Sequence, residues 1–225
     1  RKIAWLNRIR AVLSGINSAI IRVRDRTELF NEVCRIASQD AAFPLAWIAV
    51  RNPVNGELEA IAWTGIADRF FTELRTTQPT RTFPAGAVGN RAINERCTIV
   101  DNDIDAEPDL DAVRREAVGR GCRSVIALPL YAEGSPVGSI MLYSLEQYFF
   151  DAEEVKLLEE LAGDVSFALT FIAQQKKVEY LAFYDTLTAL PNRTLFFDRL
   201  ARQLAAAARN QESVVLILID LDRFR

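Results

Sequence analysis

The sequence predicts an α+β fold, a largely antiparallel sheet covered by helices. Three observations carry this. Residues 124–131 and 136–144 are apolar, strand-like runs around a short polar tip, Ala132-Glu133-Gly134-Ser135. Residues 45–51 and 58–64, rich in Trp, Ile and Val, meet across Asn55-Gly56, whose tolerance of positive φ suits a hairpin. Apolar stripes at helical spacing stand at both ends of this strand-rich region.

In chain order, Ile3, Leu6, Ile9, Leu13, Ile16 and Ile20 mark one face of a helix over 2–22. A second helix, over 26–39, has Asp25 as its N-cap, Glu28 three residues on, and Leu29, Val33 and Ile36 facing inward. The first two strands follow, then a short amphipathic helix over 66–75 with Phe70, Phe71 and Leu74 on one side. A Thr/Pro/Gly-rich passage reads as loop. Helical turns at 86–95 and 110–119 bracket a brief strand, 97–100, and the acidic connection 101–105. The apolar content of 124–131 and 136–144 exceeds what an exposed edge carries, so these are central strands. Asp151-Ala152-Glu153-Glu154 supplies a capping-box spacing for a strong helix. Leu158, Leu161, Val165, Ala168 and Ile172 give that helix a coiled-coil-like stripe, interrupted at Gln175 and Glu179 and resumed by Val178, Leu181 and Ala182. No Gly- or Pro-rich linker breaks it, so it can transmit bending or rotation that a loose linker would absorb.

Composition sets the bounds. In 225 residues, half are apolar and a quarter charged, enough for one cored domain and the start of another. A net charge of −3 implies no general attraction to nucleic acid or anionic membrane. No apolar run reaches bilayer-spanning length and no signal peptide opens the sequence. Starting at Arg1 and stopping at Arg225 beside an apolar run, the sequence reads as a segment of a longer protein, with membrane tethering upstream left open. Cys34, Cys97 and Cys122 are odd in number and lack metal-ligand spacing, which favours a reducing cytosol. Without any histidine, histidine-based triads are excluded.

Residues 30–172 resemble a GAF domain, a sensory module of phosphodiesterases, phytochromes and bacterial regulators. The resemblance rests on the passages 86–93 (GAVGNRAI), 99–104 (IVDNDI), 121–130 (GCRSVIALPL) and 138–143 (GSIMLY), followed by the helix that Asp151 opens. It implies a central antiparallel sheet with N- and C-terminal helices on one face and a small-molecule pocket on the other. Trp47, Trp63, Phe70, Phe83, Cys97, Cys122 and Tyr143 are the candidate pocket walls, with Phe71 beside them, although such residues are more often plain core. Tetrapyrrole-binding relatives pair a linking cysteine with a histidine, so the lack of histidine argues against that cofactor. Asn94-Glu95-Arg96 does not reproduce the motif of cyclic-nucleotide-binding relatives. The small-molecule signal stays unidentified.

The end of the sequence resembles the start of a GGDEF domain, the diguanylate cyclase family, as an incomplete α/β fragment. The matching runs are 184–193 (YDTLTALPNR) and 214–225 (VVLILIDLDRFR), the second resembling that family's first core strand and metal-binding turn. Ala189 stands where glycine is usual, and Arg225 where lysine is usual, which keeps the charge and changes its geometry. The resemblance gives Asp220 a Mg²⁺ carboxylate role, Leu221 a backbone carbonyl ligand, and Arg225 a place near phosphate. It implies two GTP molecules joined into cyclic di-GMP by the intact protein, with the 225-residue chain itself inactive. The alternative left open is a degenerate GGDEF domain serving as GTP receptor or scaffold. The expected organisation is a sensory domain over 1–172, a helical linker over 173–184 and the GGDEF start over 185–225, in a homodimer joined through the terminal helices.

Overall fold

The computed structural model describes residues 23, 25–39, 43–52, 54–66, 68–77, 87–106 and 112–219. The helix expected over 2–22, the 78–86 passage with Phe83, and Asp220, Leu221 and Arg225 lie outside the described residues. The chain divides into two compact units, 1–173 and 174–225.

In the first unit, helix α1 (Arg26–Gln39) opens where Asp25 Oδ1 accepts the amides of Thr27 and Glu28 at 2.8 and 3.4 Å, satisfying donors that a helix start leaves orphaned. Strands β1 (Leu45–Arg51) and β2 (Leu58–Gly65) form the first hairpin. Its turn closes through the Gly56 N–H on the Asn52 carbonyl at 2.9 Å, with Gly56 at φ +75°. Helices α2 (Asp68–Thr77) and α3 (Val88–Glu95), strand β3 (Ile99–Asp101) and helix α4 (Ala112–Gly119) follow. Strands β4 (Ser124–Ala132) and β5 (Ser135–Ser144) then pair tightly, Ala132 facing Ser135. Their loop is only Glu133-Gly134, both at positive φ, the backbone a two-residue turn needs to match strand twist.

The sheet order is β2-β1-β5-β4-β3, every neighbouring pair antiparallel. Alternation along the strands divides the core in two. Ala46, Ile48, Val50, Ile126, Leu128, Leu130, Ile140 and Leu142 face α1 and the long helix α5 (Ala152–Phe183). Leu45, Trp47, Ala49, Val125, Ala127, Met141 and Tyr143 face the layer of α2, α3 and α4. Each fully buried large apolar side chain contributes about 1.5–3 kcal/mol of transfer free energy, so both layers are held by burial rather than by surface charge pairs. Gly138 lets β5 approach β1: a Cβ there would stand 2.4 Å from the Ala49 carbonyl oxygen.

Asp151 starts α5 by accepting the amides of Glu153 and Glu154 at 2.8 and 3.2 Å. Its Leu158, Leu161, Val165, Ala168 and Ile172 are buried in the core shared with α1 and the sheet. The stripe expected to resemble a coiled-coil seam is therefore occupied within the chain, because an open sheet face demands cover before any partner arrives. The large apolar side chains that α5 leaves exposed are Phe167, Phe171, Val178, Tyr180, Leu181 and Phe183.

The second unit holds the end of α5, a turn, and helix α6 (Arg193–Asn210). Asn192 caps α6, its Oδ1 accepting the Leu195 amide at 3.1 Å, and its side-chain amide donates to the Ala182 carbonyl at 2.9 Å. Residues 212–219 carry no strand pairing, and Val215 and Leu218 are 82% and 94% exposed. The core strand expected from 214 onward is not formed among the described residues, since no neighbouring strand takes up its amides and carbonyls.

Candidate functional site

Trp47, Trp63, Phe70, Cys122 and Tyr143 come together in one apolar cluster on the sheet face away from α1 and α5. β1 and β2 place Trp47 opposite Trp63, and β5 presents Tyr143 opposite Val125. Phe71, on α2, sits at the centre: its ring lies 5.2 Å from Trp47, 5.6 Å from Trp63 and 5.6 Å edge-on from Phe70. Trp47, Phe71, Met141 and Tyr143 are fully or almost fully buried, whereas Trp63 and Phe70 are partly open. Above β5, α3 comes so close that a Cβ on Gly89 would stand 2.8 Å from both the Met141 Sδ and the Ser139 Oγ. These side chains pack on one another, with Trp63 and Phe70 at the partly open margin.

The acidic connection is bolted to the same end of the sheet. Asp101 pairs with Arg114 of α4, whose side chain is 5% exposed. Asn102 brackets the start of the α5 segment, accepting the Phe150 amide at 3.0 Å and donating to the Phe150 carbonyl at 2.9 Å. Arg123 reaches Asp105 at 3.2 Å.

The three cysteines separate. Burial pushes the Cys34 thiol well above its ordinary range, and pushes Cys122 up to about 11 against a smaller lowering by the Arg123 charge. Both are protonated and poorly nucleophilic near neutrality. Cys97 is exposed and stands apart from the aromatic cluster.

Cys97 lies instead in an open groove of about 410 Å³ on the other side of the sheet edge, between β4, residues 96–98 and α5. Arg96, Thr98, Leu128, Pro129, Tyr131, Glu159, Ala162, Gly163 and Ser166 complete its lining. Thr98 donates its hydroxyl to Glu159 at 2.7 Å, and the Tyr131 hydroxyl donates to the Arg96 carbonyl at 3.2 Å. Sequence reasoning missed this groove. Its one legible signal was Gly163, a glycine inside a strong helix.

In the second unit, the turn after α5 is built on Asp185. Its Oδ1 accepts the Leu187 and Thr188 amides and the Thr188 hydroxyl at 3.2, 2.9 and 2.8 Å. These bonds, those from Thr188 first, hold its carboxyl below the usual Asp range. Ala189 adopts φ +57°, which explains why glycine suits that position. Among the described residues no group of three or more acidic or cysteine side chains could hold a metal ion, and Asp220 and Leu221 fall outside them. No helix of the described residues is long and apolar enough to cross a membrane.

A five-stranded antiparallel sheet in this order, with helices on both faces, is the GAF fold, and solved structures agree. The GAF domain of a phosphoenolpyruvate-protein phosphotransferase from Coxiella burnetii superposes with a TM-score of 0.62 at 14% identity, over 76% of this chain and 98% of that one. Free methionine-R-sulfoxide reductase from Neisseria meningitidis gives 0.61 at 21% identity, over 74% and 91%. The chain belongs to the GAF domain family, whose model matches residues 23–170. Residues 182–225 match the model of the GGDEF domain, diguanylate cyclase. Among curated proteins, diguanylate cyclase DgcP of Escherichia coli K12 is 28% identical over 145 residues, which is 60% of this chain and 41% of the relative. The match thus spans less than half of that relative's length.

Proposed function

We propose that this chain is the sensory and coupling portion of a bacterial signalling protein whose intact form joins two GTP into cyclic di-GMP. The observation that carries the reading is a GAF match and a GGDEF match in one chain, with α5 running unbroken from Ala152 to Phe183 between them. In this reading 1–172 senses, 173–184 couples and 185–225 opens the cyclase, all in the cytoplasm.

Trp47, Trp63, Phe70, Cys122 and Tyr143 line the sensory face, with Trp63 and Phe70 as its movable margin, and the signal is a small molecule. By the resemblance to the cyclases, Asp220 and Leu221 would offer a carboxylate and a carbonyl, hard oxygen donors that suit Mg²⁺, which when bound neutralises phosphate charge, and Arg225 would supply positive charge for phosphate. The chain alone is catalytically silent, supported by the unpaired, exposed 214–219 run. A homodimer forms along the exposed stripe Phe167, Phe171, Val178 and Leu181, which with Gln174 repeats at four and three residues, the spacing of a coiled-coil seam.

The test is direct: the intact protein incubated with GTP and Mg²⁺ yields cyclic di-GMP by mass spectrometry. Intact protein that binds GTP without making product would favour a scaffold or receptor role instead.

A further inference from the structure

The groove beside Cys97 has the features of a second ligand site, on the α5 side of the sheet. Among the described residues β3 pairs with Val125–Ala127 of β4, and no strand covers the β4 edge from Leu128 onward. That edge offers no N–H. Pro129 has none, the Tyr131 amide is held by Ser166 Oγ at 3.0 Å, and the Glu133 amide by Thr170 Oγ1 at 3.1 Å. An extended peptide adding as a strand would find no donors there, so the occupant is a small molecule.

The walls carry opposite charges over an apolar floor. Arg96 closes α3 at φ +56° and is exposed; Glu159 of α5 belongs to the same lining, its Oε1 accepting the Thr98 hydroxyl. Pro129 and Ala162 supply the floor. Over Gly163 the space is open: a Cβ there would meet no atom within 4 Å. Glycine inside a helix is disfavoured relative to alanine, and no packing within this unit calls for it.

We propose that this groove binds a small zwitterion, an α-amino acid with an apolar side chain. Its carboxylate pairs with Arg96, its ammonium with Glu159, and its side chain lies on Pro129 and Ala162 beside Gly163. The site is independent of the aromatic face and of any cyclase activity. Because Ser166 lines it, occupancy bears on the helix that leaves the sensory unit.

Cys97 reports on it, being exposed in the groove while Cys34 and Cys122 are buried. Iodoacetamide alkylation of Cys97, followed by peptide mass spectrometry on the 225-residue chain, is run with millimolar leucine, methionine, valine or phenylalanine. At least one is expected to slow alkylation about fivefold, as fourfold excess over Kd requires. For leucine, 3-methylbutylamine lacks the carboxylate and 4-methylpentanoate the ammonium; both are expected to protect far less. Gly163→Leu fills the open space, keeps the melting temperature and removes ligand protection. Should it lower the melting temperature, Arg96→Gln decides, since the exposed Arg96 makes no core contact and its loss should also abolish protection. Unchanged alkylation with every amino acid, equal protection by the amine or the acid alone, or retained protection in Arg96→Gln overturns the proposal.

Discussion

Ser166 of α5 accepts the backbone N–H of Tyr131 at 3.0 Å and donates its own proton to the Ala162 carbonyl at 2.6 Å, so one hydroxyl ties the edge of β4 to the helix leaving the sheet. One turn later Thr170 repeats the arrangement with Glu133 and the Ser166 carbonyl. Edge strands expose unpaired amides that invite association, and here a helix covers them with two hydroxyls. Ser166→Ala leaves the Tyr131 amide without its acceptor. We expect a loss of about 1–3 kcal/mol in urea melts, with hydrogen exchange accelerated first at Tyr131. Uniform acceleration across the sheet would show that the bond holds nothing locally.

Ala189 sits at φ +57° in the turn between α5 and α6, a conformation costing a residue with a Cβ about 1–2 kcal/mol. Ala189→Gly is expected to tighten this turn, slowing proteolysis between Tyr184 and Asn192. Faster cleavage would mean the entropy of glycine outweighs the relieved strain.

Arg114 and Asp101 form an ion pair that is almost closed to solvent on the Arg114 side. Removing Arg114 alone leaves the Asp101 carboxylate without its countercharge, held by the Asp103 amide at 3.1 Å. Arg114→Met is expected to cost about 3–5 kcal/mol, and adding Asp101→Asn to recover part of that loss. Strictly additive costs in the double-mutant cycle would contradict the pairing.

Gly138→Ala drives a Cβ to 2.4 Å from the Ala49 carbonyl oxygen, at the last pair of the β1–β5 ladder. The neighbour is backbone and cannot swing aside. Destabilisation of about 3 kcal/mol or more is expected, at the upper end of overpacking costs, read as a fall in melting temperature.

Asp185 carries a carboxyl lowered from 3.8 by the amides and hydroxyl it accepts. A lowered folded value means its contribution is complete above the unfolded value and fades as pH falls through the folded one. Amide protection at Thr188 should therefore be constant from neutrality to about pH 4 and decline below it, and Asp185→Asn should remove the dependence.

The strands were legible because their apolar residues alternate and their turns carry Asn55-Gly56 and Glu133-Gly134, signals that act within a few residues. The aromatic cluster was legible as candidates, since Trp47, Trp63, Phe70 and Tyr143 stand on strands or a helix facing one side. What the sequence concealed was partnership. The stripe from Leu158 to Ile172 has the same spacing whether it meets a sheet or a second helix, and only the folded chain shows that the sheet takes it. Cys97 was grouped with the aromatic residues by residue type, yet the left-handed Arg96 turns the chain before β3 and leaves it outside. Helix α6 was given no bounds from the sequence, although Asn192 is a sound N-cap. Residues 214–219 read as a strand by composition alone, and a strand also needs a neighbour.

The central claim is that α5 carries the state of the sensory unit to the cyclase. The most direct measurement inserts residues between Ala173 and Gln174 of the intact protein and follows cyclic di-GMP formation from GTP and Mg²⁺. A helix that works by register should give a rate that collapses on inserting about half a heptad and returns with a whole one. A rate indifferent to insertion length, or no product at any length, would contradict it.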